Sequence, residues 1–482
     1  MRFPSVIRQL KKIAGSDAVL DRPEDLMLYE YDGGLAQGTP RAVVFPQTTE
    51  QVSAIMKLAT AENLSVVPRG AGTGLSGGAI SRQGSIVLGF ARMNRILEID
   101  IPNRRAVVQP GVVNLELSNA TSRFGYYFAP DPSSQKACTI GGNVAENSGG
   151  PHTLAYGVTV NHVTGLEVVL PDGRVVEFGS KVADSCGYDL PGFFVGSEGT
   201  LGIATKITVK LSRLPEAVAT LLGIFNTVED AANTVVAITR EGITPAALEM
   251  LDGWTLRTVE AATHAGFPLD SGAVLLIEVE GLREAVAEQV DAVRRVCAEQ
   301  RAREVRVAKD ERERQLLWAG RKNAFGAIGR ISPSYYVQDG VIPRTRVPDT
   351  LRHIENIGKK YGLTIGNIFH AGDGNLHPLI LFDPRDAEMT HRTHEAGREI
   401  LEYCVAVGGS ITGEHGVGME KNELMPLNFS GDDLSAMACL RDAFNPRSTL
   451  NPQKILPTTR SCREVMTPRF PGVVESRPPG QA

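Results

Sequence analysis

The chain has 482 residues, of which 42% are hydrophobic and 22% charged, and its formal net charge is −5. This length and composition are typical of a globular protein of two or three domains, and the mild acidity without a basic stripe argues against nucleic-acid binding. Its six cysteines form no C-x-x-C pair, which excludes an iron–sulfur or zinc-ribbon motif and is typical of a reducing compartment.

The N-terminal stretch, MRFPSVIRQLKKIAG, lacks the continuous apolar segment of a secretory signal. No apolar run in the sequence reaches the length that crosses a bilayer. We therefore expect a cytoplasmic protein that reaches the inner face of a membrane only through partners. Residues 1–37 are expected to form an N-terminal helix and a linker.

A βαβ unit is predicted next, with strands at residues 42–45 and 64–67. Between them, Thr48 and Gln51 have the spacing of a capping box, and an apolar period of helical type follows. Further strands are predicted at 85–88, 105–109 and 206–211, a helix at 113–124, and a hairpin at 165–178 that turns at Asp172-Gly173.

Two glycine-rich loops stand out: PRGAGTGLSGGA at 68–79 and DPSSQKACTIGGNVAENSGG at 131–150. Glycine lets backbone N–H groups approach an anion closely, so two such loops in one domain indicate a dinucleotide with a polyanionic middle. The alternative is a pair of hairpins without a ligand. Gly72, Gly74 and Gly77 match G-x-G-x-x-G, but a strand rather than a helix is predicted to follow, which excludes a Rossmann site. No Lys-Ser/Thr pair closes the loop, which excludes a Walker A site.

Two later motifs concentrate histidines: NIFHAGDGNLHPLI at 367–380 and GGSITGEHGVGMEK at 408–421. His370 and His377 lie seven residues apart around a glycine-bearing turn, and Glu414 precedes His415. Two histidines and a carboxylate are the ligand set of a catalytic metal. From the residues alone, hydrogen-bonded core histidines remain the alternative. Around these motifs, strands and helices alternate, which predicts an antiparallel sheet with helices on one face.

Three segments resemble the FAD-binding domain of the vanillyl-alcohol oxidase / p-cresol methylhydroxylase superfamily, and within it the FAD-linked subunits of glycolate oxidase. These segments are RGAGTGLSGGA, PDPSSQKACTIGGNVAENSGG and FFVGSEGTLGI. The resemblance implies an α+β fold with a two-subdomain FAD-binding domain of the vanillyl-alcohol oxidase type at 38–215. An α+β cap with an antiparallel sheet would occupy 216–443, and 444–457 would return to the FAD domain. Residues 458–482, rich in Pro and Arg, are expected to form a disordered tail.

The resemblance also implies a set of FAD-binding residues. They are Arg69, Gly70, Ala71, Gly72, Thr73, Gly74, Ser76, Gly77, Pro130, Asp131, Ser134, Gly141, Gly142, Asn143, Asn147, Gly149, Val158, Glu198, Gly199, Gly202, Ile203 and Lys454. Some members attach FAD through a histidine in the first loop, which here has none, so the FAD is expected to be non-covalent. Gln453 replaces the glycine that usually precedes the lysine, which puts the conformation of that turn in question.

In the cap, the resemblance makes His370, His377 and Glu414 ligands of a divalent metal, Zn or Mn, and His415 the group that accepts the hydroxyl proton. Arg321 would bind the substrate carboxylate. Its rivals are Lys322 and Arg330, or a plain surface arginine. His370 and Tyr336, or Tyr335, would line the substrate pocket. An apolar Leu379, where relatives acting on 2-hydroxyglutarate carry a polar residue, favours a short substrate.

The implied function is FAD-dependent oxidation of short (R)-2-hydroxy acids: glycolate to glyoxylate, or D-lactate to pyruvate. The implied partners are a second FAD-binding subunit and an iron–sulfur subunit that passes electrons to the membrane. One alternative is a D-2-hydroxyglutarate dehydrogenase, and another is a non-catalytic FAD-binding scaffold. Transferase chemistry of the ether-lipid synthase type would require a different histidine cluster.

Overall fold

The computed structural model of the protein describes residues 3–182 and 187–457. The predicted tail at 458–482, Cys186 and Cys462 lie outside the described residues. The strands are β1 (Val19–Leu20), β2 (Ala42–Val44), β3 (Val66–Arg69), β4 (Ile86–Gly89), β5 (Ile96–Asp100), β6 (Arg105–Val108), β7 (Tyr126–Tyr127), β8 (Val163–Val169), β9 (Val175–Gly179), β10 (Ile203–Lys210), β11 (Ser212–Arg213), β12 (Ala217–Phe225), β13 (Ala247–Asp252), β14 (Ala273–Gly281), β15 (Glu304–Val307), β16 (Ser334–Val337), β17 (Gly340–Val341), β18 (Ile365–His370) and β19 (Asn375–Phe382).

The helices are α1 (Phe3–Ala14), α2 (Pro23–Leu26), α3 (Thr49–Ala61), α4 (Asn114–Ser122), α5 (Ile140–Glu146), α6 (Thr153–Tyr156), α7 (Leu190–Phe194), α8 (Val228–Arg240), α9 (Gly253–Thr263), α10 (Arg283–Glu299), α11 (Glu311–Lys322), α12 (Ala324–Ile328), α13 (Val347–Tyr361), α14 (Ala387–Ala406), α15 (Met425–Asn428) and α16 (Gly431–Phe444). Among the helices of the described chain, none combines the length and the apolar character needed to span a bilayer.

The predicted βαβ unit is present in a four-stranded sheet of order β1-β2-β4-β3. Strands β2 and β3 are both parallel to β4, which lies between them. Thr48 caps α3 by accepting a bond from the N–H of Gln51 at 3.3 Å. The Gln51 side chain returns to the N–H of Gln47 rather than to Thr48, so only half of the expected capping box forms.

The first glycine loop follows β3 and leads through a short 3₁₀ turn at Arg82–Gly84 into β4. No α-helix opens after the loop, as the sequence predicted. The backbone of this loop instead packs against the second glycine loop. The Cβ of any residue replacing Gly70 would lie 2.5 Å from Oγ1 of Thr139, so the two loops are in close contact.

An antiparallel five-stranded sheet, β5-β6-β10-β8-β9, forms the next layer. The predicted hairpin is present as β8 and β9, and Gly173 turns with a φ of 84°. Helix α5 lies inside the second glycine loop, for which the sequence analysis predicted no helix. This helix is not predictable from the sequence because Gly141 and Gly142 both have low helix propensity. Thr139 starts the helix by accepting the Gly142 N–H at 3.2 Å.

The rest of the described chain builds one antiparallel sheet of eight strands, of order β15-β12-β14-β13-β18-β19-β16, with β17 beside β19. Alternate side chains of its strands enter two separate cores. Helices α8, α10, α13 and α14 pack on one face, and α9, α11 and α12 on the other. The expectation of helices on one face is therefore wrong. Strands β12 and β14 are apolar at successive positions rather than at every second one, which indicates that both faces of the sheet are covered.

The segment after α16 returns to the first sheet. Leu450 forms a bridge beside Val66, and Asn451 donates its N–H to the Val66 carbonyl at 2.7 Å. Lys454 is buried and donates from Nζ to the carbonyl of Ile80 at 2.9 Å. These contacts agree with the division at 38–215, 216–443 and 444–457, which stays a prediction.

Candidate functional site

A cavity of about 590 Å³ lies between the two glycine loops and the eight-stranded sheet. Predicted FAD residues that line it are Arg69, Gly70, Ala71, Gly72, Thr73, Gly74, Ser134, Gly141, Gly142, Asn143, Glu198, Gly199, Gly202 and Ile203. The other side is formed by Lys322, Phe325, Tyr335, His377, Glu414 and His415, which we call the cap side. The cavity is therefore lined by residues of both glycine-rich loops and of both histidine motifs.

Eight predicted FAD residues are absent from the cavity wall: Ser76, Gly77, Pro130, Asp131, Asn147, Gly149, Val158 and Lys454. Several of them support the wall from behind. The carbonyl of Ser76 accepts the N–H groups of Met419 and Glu420, and the carbonyl of Pro130 accepts from the Asn114 amide. Sequence reasoning missed Phe90 and Pro110 because they lie outside the glycine loops, and it missed Glu146 although this residue lies within the second loop.

The glycine-loop side of the cavity fits a dinucleotide. Arg69 is buried, its Nη2 donates to the Tyr31 carbonyl at 2.8 Å, and its Nη1 has no hydrogen-bond partner among the described residues. A buried guanidinium N–H without an acceptor fits an anionic ligand, because an unmet charged donor is costly. The diphosphate of FAD is such an anion.

His370 is held from behind by a buried ionic chain. Its Nδ1 lies 2.7 Å from Oε1 of Glu249, and Oε2 of Glu249 lies 2.6 Å from Nη2 of Arg321. All three side chains are at most 5% exposed. Burial by itself lowers the pKa of His370, but the carboxylates of Glu249 and Glu414 outweigh it and hold this pKa well above its usual value.

His370, His377 and Glu414 converge as the sequence predicted. Oε1 of Glu414 lies 3.1 Å from Nε2 of His370 and 3.2 Å from Nε2 of His377. One ligand atom from each of the three lies within 4.8 Å of the others. Two imidazole nitrogens and a carboxylate fit a divalent metal of the zinc or manganese type. The bond from Glu249 to His370 fits as well, since a carboxylate behind a ligating histidine fixes its orientation.

Asp339, which sequence reasoning missed, organises the loop that carries Glu414 and His415. Its Oδ2 accepts the N–H groups of Gly413 and His415 at 2.9 Å each, and the Thr412 hydroxyl at 2.6 Å. Lys421 lies 3.5 Å away. Burial raises the pKa of Asp339, but the positive charge of nearby Lys421 helps to hold the pKa far below its usual value. The loop is therefore wrapped around a buried anion.

His415 faces the cavity beside the three candidate ligands. Its ring stacks on the ring of His377, with centroids 4.8 Å apart and planes 7° apart. Burial lowers the pKa of His415 to about 4. The imidazole is therefore neutral at pH 7 and able to accept a proton from a group in the cavity.

The structure does not place Arg321 on the cavity wall. Its side chain is 1% exposed and is paired with Glu249 behind His370, because it lies on the buried face of α11. The next residue, Lys322, lines the cavity, and Arg330 is exposed beyond the end of α12. Of the three candidate cations, Lys322 thus lines the cavity, and the buried Nε and Nη1 of Arg321 have no hydrogen-bond partner among the described residues.

Three further site assignments need correction. His370, which was predicted to line the substrate pocket, is not among the residues of the cavity wall and reaches it only through its contact with Glu414. Tyr335 lines the cavity, whereas Tyr336 packs in the core on the opposite face of the sheet, against His394. Adjacent residues in a strand point to opposite faces, so only one of the two can reach the cavity. Leu379 is fully buried in the core under α9 and α11 and is not part of the wall. Its apolar side chain therefore gives no direct information on substrate length.

His152, for which the sequence showed no motif, joins the second glycine loop to the sheet. Its Nδ1 lies 2.9 Å from Oδ2 of Asp131, and its Nε2 lies 3.3 Å from Oε1 of Glu278. The ring stacks on Trp318 at 5.6 Å. Burial lowers the pKa of His152, but Asp131 and Glu278 outweigh it and raise the pKa to about 10. Only the folded chain brings these residues together.

Comparison with known proteins agrees with this arrangement. The family model "FAD binding domain" matches residues 40–179, and "FAD linked oxidases, C-terminal domain" matches 214–455. Glycolate oxidase subunit GlcD of Escherichia coli (strain K12) is 46% identical over 95% of this chain and 92% of its own length. GlcD of Bacillus subtilis (strain 168) is 41% identical over 93% and 96%. D-2-hydroxyglutarate dehydrogenase of Stutzerimonas stutzeri is 33% identical over 94% and 99%.

Two solved structures share the fold at 19% sequence identity. p-Cresol methylhydroxylase with substrate bound has a TM-score of 0.80 over 94% of this chain and 96% of its own. 4-Ethylphenol oxidase from Gulosibacter chungangensis has a TM-score of 0.78 over 95% and 98%. The predicted fold class, with its vanillyl-alcohol oxidase type of FAD-binding domain, is confirmed. The chain belongs to the FAD-linked oxidases, within the group of the GlcD subunits of glycolate oxidase.

Proposed function

We propose that the protein is an FAD-dependent dehydrogenase of short (R)-2-hydroxy acids, with glycolate or D-lactate as substrate. The observation that carries the proposal is that His377, Glu414 and His415 line one side of the FAD cavity, with Nε2 of His370 lying 3.1 Å from the Glu414 carboxylate. Relatives at 46% and 41% identity are named glycolate oxidase subunits, and others are named D-lactate dehydrogenases.

The reaction removes a hydride from C2 of the acid and a proton from its hydroxyl, and leaves a 2-oxo acid. When bound, FAD, held without a covalent bond, supplies the hydride acceptor, and a divalent metal at His370, His377 and Glu414 supplies Lewis acidity. His415 accepts the hydroxyl proton, since its imidazole is neutral and lines the cavity. Asp339 keeps His415 in place by accepting the backbone N–H of its loop.

Phe325 and Tyr335 close the cap side around the substrate. Their rings contact each other with centroids 6.2 Å apart, and both line the cavity. Two large side chains at this position leave room for a short carbon skeleton and exclude water from the reacting atoms. The limit on substrate length that we first assigned to Leu379 is therefore better assigned to this aromatic pair.

Electrons leave the protein through partners in this proposal: a second FAD-binding subunit and an iron–sulfur subunit on the inner face of the membrane. The relatives named as subunits support this. The sequence itself carries no C-x-x-C pair that could hold a cluster.

The test is an anaerobic titration of the flavin absorbance of the purified protein with glycolate, D-lactate, L-lactate and D-2-hydroxyglutarate. We expect bleaching by glycolate or D-lactate and none by L-lactate. Chelation should abolish the bleaching, and Zn²⁺ or Mn²⁺ should restore it. A bound flavin that none of these acids reduces would contradict the proposal and favour a scaffold subunit.

A further inference from the structure

Glu146 is a carboxyl side chain on the cavity wall to which the proposed reaction gives no task. It is the last residue of α5, inside the second glycine loop. Its Oε2 is buried and has no hydrogen-bond partner among the described residues. Leaving a buried carboxyl oxygen without a donor is costly when the group is ionised. The position therefore suits a carboxyl group that carries a proton and has a hydrogen bond to give.

This carboxyl group lies where three loops meet. A Cβ at Gly78 of the first glycine loop would lie 2.5 Å from Oε1 of Glu146. On the other side, a Cβ at Gly416 would overlap Oε2 of Glu146 and lie 2.9 Å from Oε1 of Glu198. Gly416 directly follows His415, and the hydride leaves the carbon whose hydroxyl His415 deprotonates. The flavin ring that accepts the hydride must therefore lie beside this loop, on the side of the cavity where Glu146 is placed.

We propose that the carboxyl group of Glu146 donates a hydrogen bond to the flavin ring of bound FAD and thereby favours the reduced ring; this assignment rests on the proposed function. The hydride from C2 brings two electrons to the ring, which becomes an anion, while the hydroxyl proton goes to His415. A hydrogen bond to an anion is stronger than one to a neutral acceptor. The bond therefore stabilises the reduced ring more than the oxidised ring, and Glu146 keeps its proton throughout.

Donation requires that Glu146 hold a proton, and its surroundings favour this. Burial and the nearby carboxylates of Glu198 and Asp32 raise the pKa of Glu146 well above its usual value, against Lys454 and Lys421, which lower it. Glu198 accepts two backbone N–H groups and is therefore the member of the pair better suited to be ionised. A carboxylic acid kept neutral in this way can donate a hydrogen bond to an anion that forms beside it.

The experiment compares Glu146→Met, which has a similar length and no donor, with Glu146→Gln, which keeps a donor. Glu116→Gln, at an exposed position of α4, is the control. The readout is the reduction potential of the FAD-loaded protein, measured against an indicator dye during chemical reduction. We expect Glu146→Met to bind reduced flavin, relative to oxidised flavin, about 10- to 100-fold less tightly than wild type, which lowers the potential by about 30–60 mV. Glu146→Gln should stay within about threefold of wild type, and the control should match it.

A wild-type potential in Glu146→Met would overturn the proposal, and so would a potential in Glu146→Gln as low as that of Glu146→Met. A second measurement follows the potentials of wild type and Glu146→Gln from pH 6 to 10. In wild type, loss of the Glu146 proton at alkaline pH removes the donor and adds a charge that opposes the reduced ring. The wild-type potential should therefore fall further with pH than that of Glu146→Gln, which cannot ionise.

Parallel pH profiles of these two proteins would contradict the role of Glu146 as a neutral acid, and this comparison holds even if Glu146→Met does not retain FAD. The potentials are measured without any 2-hydroxy acid. A wild-type flavin that no 2-hydroxy acid reduces would therefore contradict the proposed function, while the potentials would still decide for or against Glu146 as a donor to the flavin.

Discussion

At the scale of single residues, the orientation of the predicted metal ligands depends on buried side chains that contact them from the side away from the cavity. His370 was predicted from a short motif, but its orientation depends on Glu249, which is 121 residues away in the sequence. Glu249 in turn is the partner of the buried Arg321. The carboxylate thus has two tasks: it orients a candidate metal ligand and compensates a buried charge.

Glu249→Gln tests both roles of this carboxylate, the orientation of His370 and the compensation of the Arg321 charge, without changing a residue of the cavity wall. We expect the affinity for Zn²⁺ or Mn²⁺ to fall about 10- to 100-fold, because the carboxylate behind His370 is lost. We also expect the free energy of unfolding to fall by about 3–5 kcal/mol, because Arg321 is left buried without its counter-charge. Metal titration and chemical denaturation measure the two effects. Glu304→Gln, at an exposed strand position, is the control, and a variant that keeps wild-type metal affinity would argue against a metal at His370.

At the scale of elements, local sequence signals predicted where strands and helices lie, but not which of their residues face the cavity. The alternation that separates Tyr335 from Tyr336 depends on the register of β16 against β19, where Tyr336 pairs with Ile380. That register is fixed by contacts across the sheet, so the sequence alone led to the wrong tyrosine. Arg321 and Lys322 pose the same problem on α11, since adjacent helical positions are about 100° apart. His377, on β19 just after a glycine-bearing turn, and Glu414, in a glycine-bearing loop, were predictable because each belongs to a short continuous motif.

The turn after α16 allows an element-scale prediction. Gln453 stands where a glycine was expected, and its φ is 65°. A residue with a Cβ is strained there by about 1–2 kcal/mol. Gln453→Gly should raise the free energy of unfolding by about 0.5–1 kcal/mol, since the strain relieved exceeds the entropy that glycine adds to the unfolded chain.

The control for this change is Gln453→Ala, which keeps a Cβ and therefore the strain. Chemical denaturation of the three proteins should place the glycine variant above the other two. If alanine and glycine stabilise equally, the side chain of Gln453 rather than its backbone conformation is unfavourable. Lys454, which follows and reaches the carbonyl of Ile80, should keep its contact in every variant.

At the scale of the whole molecule, Glu198 connects the FAD-binding part to the loop of His415. Its carboxylate oxygens accept the N–H groups of Val417 at 2.7 Å and Gly418 at 2.8 Å. Burial raises the pKa of Glu198 to about 7, against backbone N–H groups and Lys454, which lower it. In the unfolded chain the pKa returns to about 4.5. Between about pH 4.5 and pH 7, Glu198 is therefore protonated in the folded state and ionised in the unfolded state.

It follows that Glu198 favours the folded state at low pH and that this contribution is lost as the pH rises through about 7. We expect the difference in unfolding free energy between wild type and Glu198→Gln to change by an amount on the order of 1–3 kcal/mol between pH 5 and 8. Thermal melts of the FAD-loaded proteins across this range measure it. The exposed Glu216→Gln should show no such change, and a pH-independent difference for Glu198→Gln would rule out the raised pKa.

The cavity between the glycine loops and the eight-stranded sheet makes FAD a structural link between the two parts. The first loop contains no histidine, and Thr73 lines the cavity there, so we expect the flavin to be bound without a covalent link. Acid precipitation should release the entire flavin into the supernatant, and a flavin that stays with the pellet would show a covalent bond.

Protein stripped of FAD should melt at lower temperature. Added FAD at 1,000 times its Kd should restore about 4 kcal/mol of stability. FMN should restore far less, because it lacks the adenylate half of FAD and with it one of the two phosphates that could accept from Arg69, whose Nη1 has no partner among the described residues.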